Sequence, residues 1–139
     1  MSAFEESFRK PRVLLAEDSG ELLNIYAHFL KREGLEFFLT SSATEALEVF
    51  NKFATEISIV LTDGEMPGPN GLWLAERIKN VSPNVPIILL TGNPALYLEA
   101  KNRELFAEVV EKPLAPPTLK RILRNHLAKP TGAPIRPAK

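Results

Sequence analysis

Seventeen basic residues against 17 acidic ones leave this 139-residue chain with a formal net charge of zero, and 45% apolar with 24% charged residues suits one globular domain with a single core. That balance argues against DNA or an anionic membrane as the main partner, since both call for a basic surface. The absence of cysteine excludes disulfides, thiolate metal sites and thiol catalysis, and allows a reducing compartment.

Met1 to Lys10 carries Glu5, Glu6, Arg9 and Lys10 with no apolar core. It reads as a flexible N-terminus and not as a secretory signal. No apolar run approaches membrane-spanning length. Arg12 to Ala16 is a short apolar run that ends in Glu17-Asp18, the first strand. The first helix follows, with Leu22, Tyr26, Phe29 and Leu30 on one face. Lys31-Arg32 and Gly34 supply the cationic last turn and the glycine stop of a helix end.

Leu35 to Thr40 reads as the second strand. Ser42-Ala43-Thr44-Glu45 has the spacing of a capping box and opens the second helix, with Ala46, Leu47, Phe50 and Phe53 facing inward. Ile57 to Thr62 is the third strand, ending at Asp63. Asn70-Gly71 precedes the third helix, whose inner face is Leu74, Ala75, Ile78 and Val81. Val85 to Leu90 is the fourth strand, ending at Thr91. Asn93 and Pro94 are a good cap and a good first helical residue, so a fourth helix runs from there to about Phe106. Glu108 to Glu111 is a short fifth strand ending at Lys112-Pro113. Pro116-Pro117 opens the fifth helix, with Leu119, Ile122, Leu123 and Leu127 on one face. From Lys129 to Lys139, proline, glycine and small residues mark a flexible tail too short to fold alone.

Strands alternating strictly with helices predict a parallel sheet covered on both faces through right-handed crossovers. The most continuously apolar runs, strands one, three and four, belong at the centre. Sites in such sheets form at the carboxyl ends of the strands. The polar residues that interrupt the apolar runs all stand there: Glu17 and Asp18, Asp63, Thr91 and Lys112. Three acids so close raise one another's pKa unless cations offset them. An all-oxygen set favours magnesium, and Lys112 provides a further positive charge. Asp63, at the mouth of a buried strand, is then a nucleophile for a phosphoryl group, with Thr91 and Lys112 gripping its oxygens.

Each residue has a plainer reading. Asp18, with Glu21 three residues on, could cap the first helix. Asp63-Gly64 could form only a turn. Thr91 could merely end a strand, and Lys112 could be a solvated lysine. His28 and His126 have no paired ligand residues and read as surface or boundary positions. The joint placement at successive strand ends favours the phosphoryl site.

This constellation resembles the receiver domain of two-component response regulators over residues 11 to 128. The resemblance rests on Leu15-Ala16-Glu17-Asp18-Ser19, Thr62-Asp63-Gly64-Glu65-Met66-Pro67-Gly68, Thr91-Gly92 and Lys112-Pro113. It implies a flavodoxin-like, doubly wound five-stranded parallel sheet of order 2-1-3-4-5 with five helices. It implies phosphorylation of Asp63 by a histidine kinase or phosphotransfer protein. Magnesium would be bound by Asp18, Asp63 and the backbone carbonyl of Glu65, with Glu17 acting largely through water. It also implies a cis Lys112–Pro113 bond, a switch at Thr91 and position 109, and lifetime tuning by Glu65 and Asn93.

Two positions depart from the family pattern. Val109 stands where an aromatic residue is usual, and Gly92 where alanine is frequent. The expectation is a cytoplasmic signalling domain, monomeric or weakly dimeric, with an unknown downstream protein partner. It would be no enzyme beyond its own phosphorylation and dephosphorylation, and either stand-alone or cut from a larger chain. Two rival readings remain: a pseudo-receiver that is never phosphorylated, and a phosphatase with an aspartyl-phosphate intermediate. The intact acidic, threonine and lysine set argues against the first. For the second, Glu65 has the spacing of a general acid, but no substrate-binding insertion is present.

Overall fold

A computed structural model describes residues 11–132. In chain order these form β1 (Arg12–Ala16), α1 (Gly20–Arg32), β2 (Glu36–Thr40), α2 (Ala43–Phe53), a 3-10 turn (Ala54–Glu56) and β3 (Ile59–Asp63). Then come α3 (Gly71–Val81), β4 (Ile87–Thr91), α4 (Pro94–Lys101), β5 (Glu108–Glu111) and α5 (Pro116–Gly132). All pairings are parallel and the sheet order is β2-β1-β3-β4-β5. β3 and β4 are buried throughout and β1 nearly so, while β2 and β5 are half-exposed edges.

Side-chain alternation along the strands builds two cores. Leu14, Ala16 and Val60 point to one face and pack with Ala46 and Phe50 of α2 and Leu74, Ala75 and Ile78 of α3. Val13, Leu15, Ile59 and Leu61 point to the other, against Tyr26 and Leu30 of α1 and Leu119, Ile122 and Leu123 of α5. A fully buried Leu or Ile contributes about 1.5–3 kcal/mol, so these two layers hold the strand ends in place. α4 is tied down by a smaller cluster of Leu72, Leu89, Leu96 and Ala100, with Phe106 and Val109 beside it.

The element ends follow local chemistry. At the end of α1, Gly34 sits at φ 77°. The Leu35 N–H donates to the Leu30 carbonyl and the Gly34 N–H to that of Lys31, a Schellman stop. The Ser19 hydroxyl, and not the Asp18 carboxylate, caps α1 by accepting from the Leu22 N–H. Ser42 caps α2 as its spacing predicts, but Glu45 reaches back to the N–H and hydroxyl of Ser41, one residue earlier than a capping box requires. β4 begins at Ile87 and not at Val85, because Pro86 has no N–H to give the ladder.

Three further expectations need correction. The fourth helix ends at Lys101, well short of Phe106. Asn102 closes it, and Glu104 turns the chain at φ 57°, so that Leu105 and Phe106 reach the core and the Ala107 N–H meets the Ile87 carbonyl. Val81 is 50% exposed, because it is the last residue of α3, where the helix has passed the sheet. α5 continues past Lys129 to Gly132, although Pro130 brings no N–H to its last turn. Residues 1–10 and 133–139 of the two terminal segments lie outside the described residues.

Candidate functional site

Three parallel central strands deliver their last residues to one edge of the sheet, and the first residues of α1, α3 and α4 rise from that edge. Glu17 directly follows β1, where its backbone N–H bonds to the Thr40 carbonyl, and its side chain is only 2% exposed. Asp18 beside it is exposed. Asp63 ends β3 in register with Leu90 and is buried. One carboxylate oxygen from each of Glu17, Asp18 and Asp63 lies within 4.8 Å of the other two.

Lys112 directly follows β5 and is joined to Pro113 by a cis peptide, as the resemblance implies. Its ammonium stands 3.2 Å from Glu17 Oε1 and 3.2 Å from Asp63 Oδ2. The remaining acceptors have backbone donors. The Ser19 N–H reaches Glu17 Oε2 at 3.0 Å, and the Glu65 N–H reaches Asp63 Oδ1 at 3.3 Å. Burial, and then the Glu17 charge, push the Asp63 carboxyl up to about 6 against the pull of Lys112. Burial works against the Lys112 charge as well, but Asp63 and Glu17 outweigh it and raise its pKa.

Such a set fits a hard divalent cation. The donors are all oxygen, the carboxylates are crowded, and Asp18 is open to solvent for exchange of waters. The excess negative charge at Asp63 is what a bound cation would relieve.

Thr91 ends β4, fully buried, and its hydroxyl oxygen accepts from the Asn93 N–H at 3.0 Å. Gly64 holds Thr91 and α4 close to Asp63: a Cβ there would stand 2.6 Å from Leu96 Cδ2 and 3.3 Å from Thr91 Cβ. Gly71 lets α3 start directly under the acid, since a Cβ would lie 2.7 Å from the Asp63 carbonyl. Glu65 and Asn93 meet above the site, where Asn93 Nδ2 donates to Glu65 Oε2 at 2.6 Å.

Glu17, Asp18, Asp63, Glu65, Thr91, Asn93 and Lys112 are therefore brought to one place. Val109 is not. It pairs with Leu89 in β5 and packs in the cluster under α4. Tyr26, read from the sequence only as an inner-face residue, is buried in the apolar core beneath α1, where the charges of Lys112, Glu17 and Asp63 still act on it. Its phenol pKa is raised, chiefly by burial, with Lys112 opposing and Glu17 and Asp63 adding. The aromatic on the α1 face nearest the strand ends was the available signal. His126 is not the unpaired residue its sequence suggests. Its Nε2 lies 2.9 Å from Glu108 Oε2, and both terminal nitrogens of Arg121 reach the same carboxylate at 3.1 Å. That cluster pins α5 to β5, away from the acids.

The response regulator receiver domain pattern matches residues 13–124. The transcription factor SKN7 of Chaetomium thermophilum is 34% identical over 123 residues, covering 86% of this chain and 16% of that protein. The autoinducer 1 sensor kinase/phosphatase LuxN of Vibrio campbellii is 29% identical over 125 residues, 90% of this chain and 14% of that protein. The chain thus spans a small part of these relatives. A response regulator receiver domain from Clostridium thermocellum superposes with a TM-score of 0.81 at 27% identity, covering 88% of this chain and 98% of that one. The response regulator TrrA of Thermotoga maritima, solved in complex with Mg2+ and BeF, gives 0.75 at 29% identity over 84% of this chain and 99% of that one. Pattern, relatives and strand order agree, and the chain belongs to the response regulator receiver domain family.

Proposed function

We propose that residues 11–128 act as a phosphoacceptor domain, taking a phosphoryl group on Asp63 and signalling to a protein partner through the surface that this changes. The observation that carries the reading is the buried Asp63 carboxylate, 3.2 Å from the Lys112 ammonium and within 4.8 Å of two further acids. One Asp63 oxygen attacks the phosphorus of a phosphohistidine on a kinase or phosphotransfer protein. The new O–P bond forms as the P–N bond breaks, and the imidazole leaves and takes up a proton. Lys112 offsets charge on the phosphoryl oxygens, and the Thr91 hydroxyl hydrogen is a donor to another.

Magnesium fits the donor set: Asp18, Asp63 and the Glu65 carbonyl would hold it, Glu17 would act through water, and it would neutralise the acids and the phosphoryl oxygens. The Mg2+ in the TrrA complex supports that reading, as does the engagement of Glu17 with Lys112. Glu65 gives its carboxylate to Asn93, which disfavours the general-acid role a phosphatase would need. A cytoplasmic setting, a histidine kinase or phosphotransfer donor, and a monomer or weak dimer complete the reading. Among the described residues no helix is long and apolar enough to cross a membrane.

Intact mass after incubation with acetyl phosphate and magnesium tests the proposal. Wild type gains one phosphoryl group, chelator prevents the gain, and Asp63→Asn gains none. An equal gain in Asp63→Asn assigns the group elsewhere and overturns the reading.

A further inference from the structure

A chain of hydrogen bonds leads from Asp63 to the first turn of α4. Asp63 Oδ1 accepts from the Glu65 N–H at 3.3 Å, and Glu65 Oε2 accepts from Asn93 Nδ2 at 2.6 Å. The other end of the same amide, Asn93 Oδ1, accepts from the N–H groups of Ala95 at 2.9 Å and Leu96 at 3.2 Å. The Asn93 backbone N–H rests on the Thr91 hydroxyl at 3.0 Å. One side chain is thus both the cap of α4 and the link to the loop that follows Asp63. Strand β5 offers no comparable path, because Val109 is a short β-branched residue packed under α4 with restricted χ1.

We propose that Asn93 is a positioning residue that carries the phosphorylation state of Asp63 to the N-terminus of α4; the proposal rests on the phosphoacceptor reading above. A phosphoryl group on Asp63 changes what the Glu65 N–H and the Thr91 hydroxyl can bond. Both are partners of the Asn93 link, one through Glu65 and one directly. Any shift of Asn93 moves the acceptor on which the Ala95 and Leu96 amides depend, and the end of α4 reorganises. Leu96 extends the effect inward, since it packs over Gly64 and belongs to the cluster with Leu89 and Val109.

Amide hydrogen exchange over residues 95–100, with and without acetyl phosphate and magnesium, tests this, with phosphoryl content followed by intact mass and exchange compared at equal content. In wild type, phosphorylation changes exchange there several-fold. Asn93→Ser keeps a capping oxygen but cannot reach Glu65, and Glu65→Ala removes the acceptor while leaving the cap. Both lose the phosphorylation-dependent change. Glu65→Gln, which still presents an oxygen to Nδ2, retains it. A residue that merely capped the helix would alter exchange in both states and leave their difference intact. If that difference survives in Asn93→Ser and Glu65→Ala, or wild type gains the phosphoryl group with residues 95–100 unchanged, the link is refuted alone. If wild type gains no phosphoryl group, the phosphoacceptor reading falls and this inference with it.

Discussion

The Lys112 ammonium lies 3.2 Å from Asp63 Oδ2, and it reaches that carboxylate from the end of β5, with β4 standing between the two strands. The same ammonium donates to Glu17 Oε1 at 3.2 Å. One half-buried cation thus serves two buried acids, and the site carries more negative charge than it neutralises.

Replacing Lys112 by methionine leaves both acids without that cation. Breaking a fully buried pair costs about 3–5 kcal/mol. Lys112 keeps part of its side chain in water, so roughly 1–3 kcal/mol is expected at pH 7 without divalent cations. Urea unfolding measures it. The loss should shrink at pH 5, where Asp63 is protonated and asks for no partner. A loss independent of pH would show that the lysine stem's packing, and not its charge, is what matters.

Asp63→Asn should stabilise the metal-free protein at neutral pH. The folded carboxyl titrates at about 6 against an ordinary 3.8. Between those values the native state holds a proton that the unfolded chain has released, so this group's contribution falls as pH rises from about 4 to about 6. Above that window wild type carries the full penalty and the asparagine variant carries none. Roughly 1–3 kcal/mol is expected at pH 7, fading towards pH 4. Thermal unfolding in chelator at pH 4.5 and pH 7 checks it. A variant less stable than wild type at both values contradicts the charge crowding.

Glycines near the site should differ sharply. A Cβ on Gly71 would lie 2.7 Å from the Asp63 carbonyl oxygen and 2.7 Å from Leu89 Cδ1, whereas one on Gly92 would meet only Lys112 Cβ at 3.9 Å. Backbone oxygen cannot yield as a side-chain end can. Gly71→Ala should therefore cost about 2 kcal/mol or more, and Gly92→Ala less than about 1 kcal/mol. Chemical denaturation of the two variants decides it, and similar costs would mean that α3 shifts easily on the sheet.

The sheet was legible because β3 and β4 are buried on both faces and so read as unbroken apolar runs. The acids and Lys112 were legible because each interrupts or closes such a run. The end of α4 was not. Leu105 and Phe106 continue an apolar spacing, yet they serve the sheet-side core after the chain has turned at Glu104. Pairings such as Asn93 with Glu65 and His126 with Glu108 were equally hidden. They join polar residues 28 and 18 positions apart, and only the packed fold sets the side chains against each other.

Magnesium should separate Asp18 from Asp63. Both belong to the acidic cluster, but Asp18 is exposed and Asp63 is buried. An exposed carboxylate is solvated with or without a cation, so Asp18→Asn should leave metal-free stability within about 0.5 kcal/mol of wild type. It should still weaken cation binding, because one charged oxygen ligand is lost. Wild type should gain about 2.7 kcal/mol at a magnesium concentration 100 times its dissociation constant. At that same concentration the Asp18→Asn gain should be much smaller, and chelator should bring the two proteins together again. Asp63→Asn should behave differently: more stable than wild type in chelator, and little changed by magnesium. Thermal unfolding across a magnesium series reads all three proteins at once. If Asp18→Asn responds to magnesium as wild type does, the cation is held without Asp18 and the ligand set is wrong.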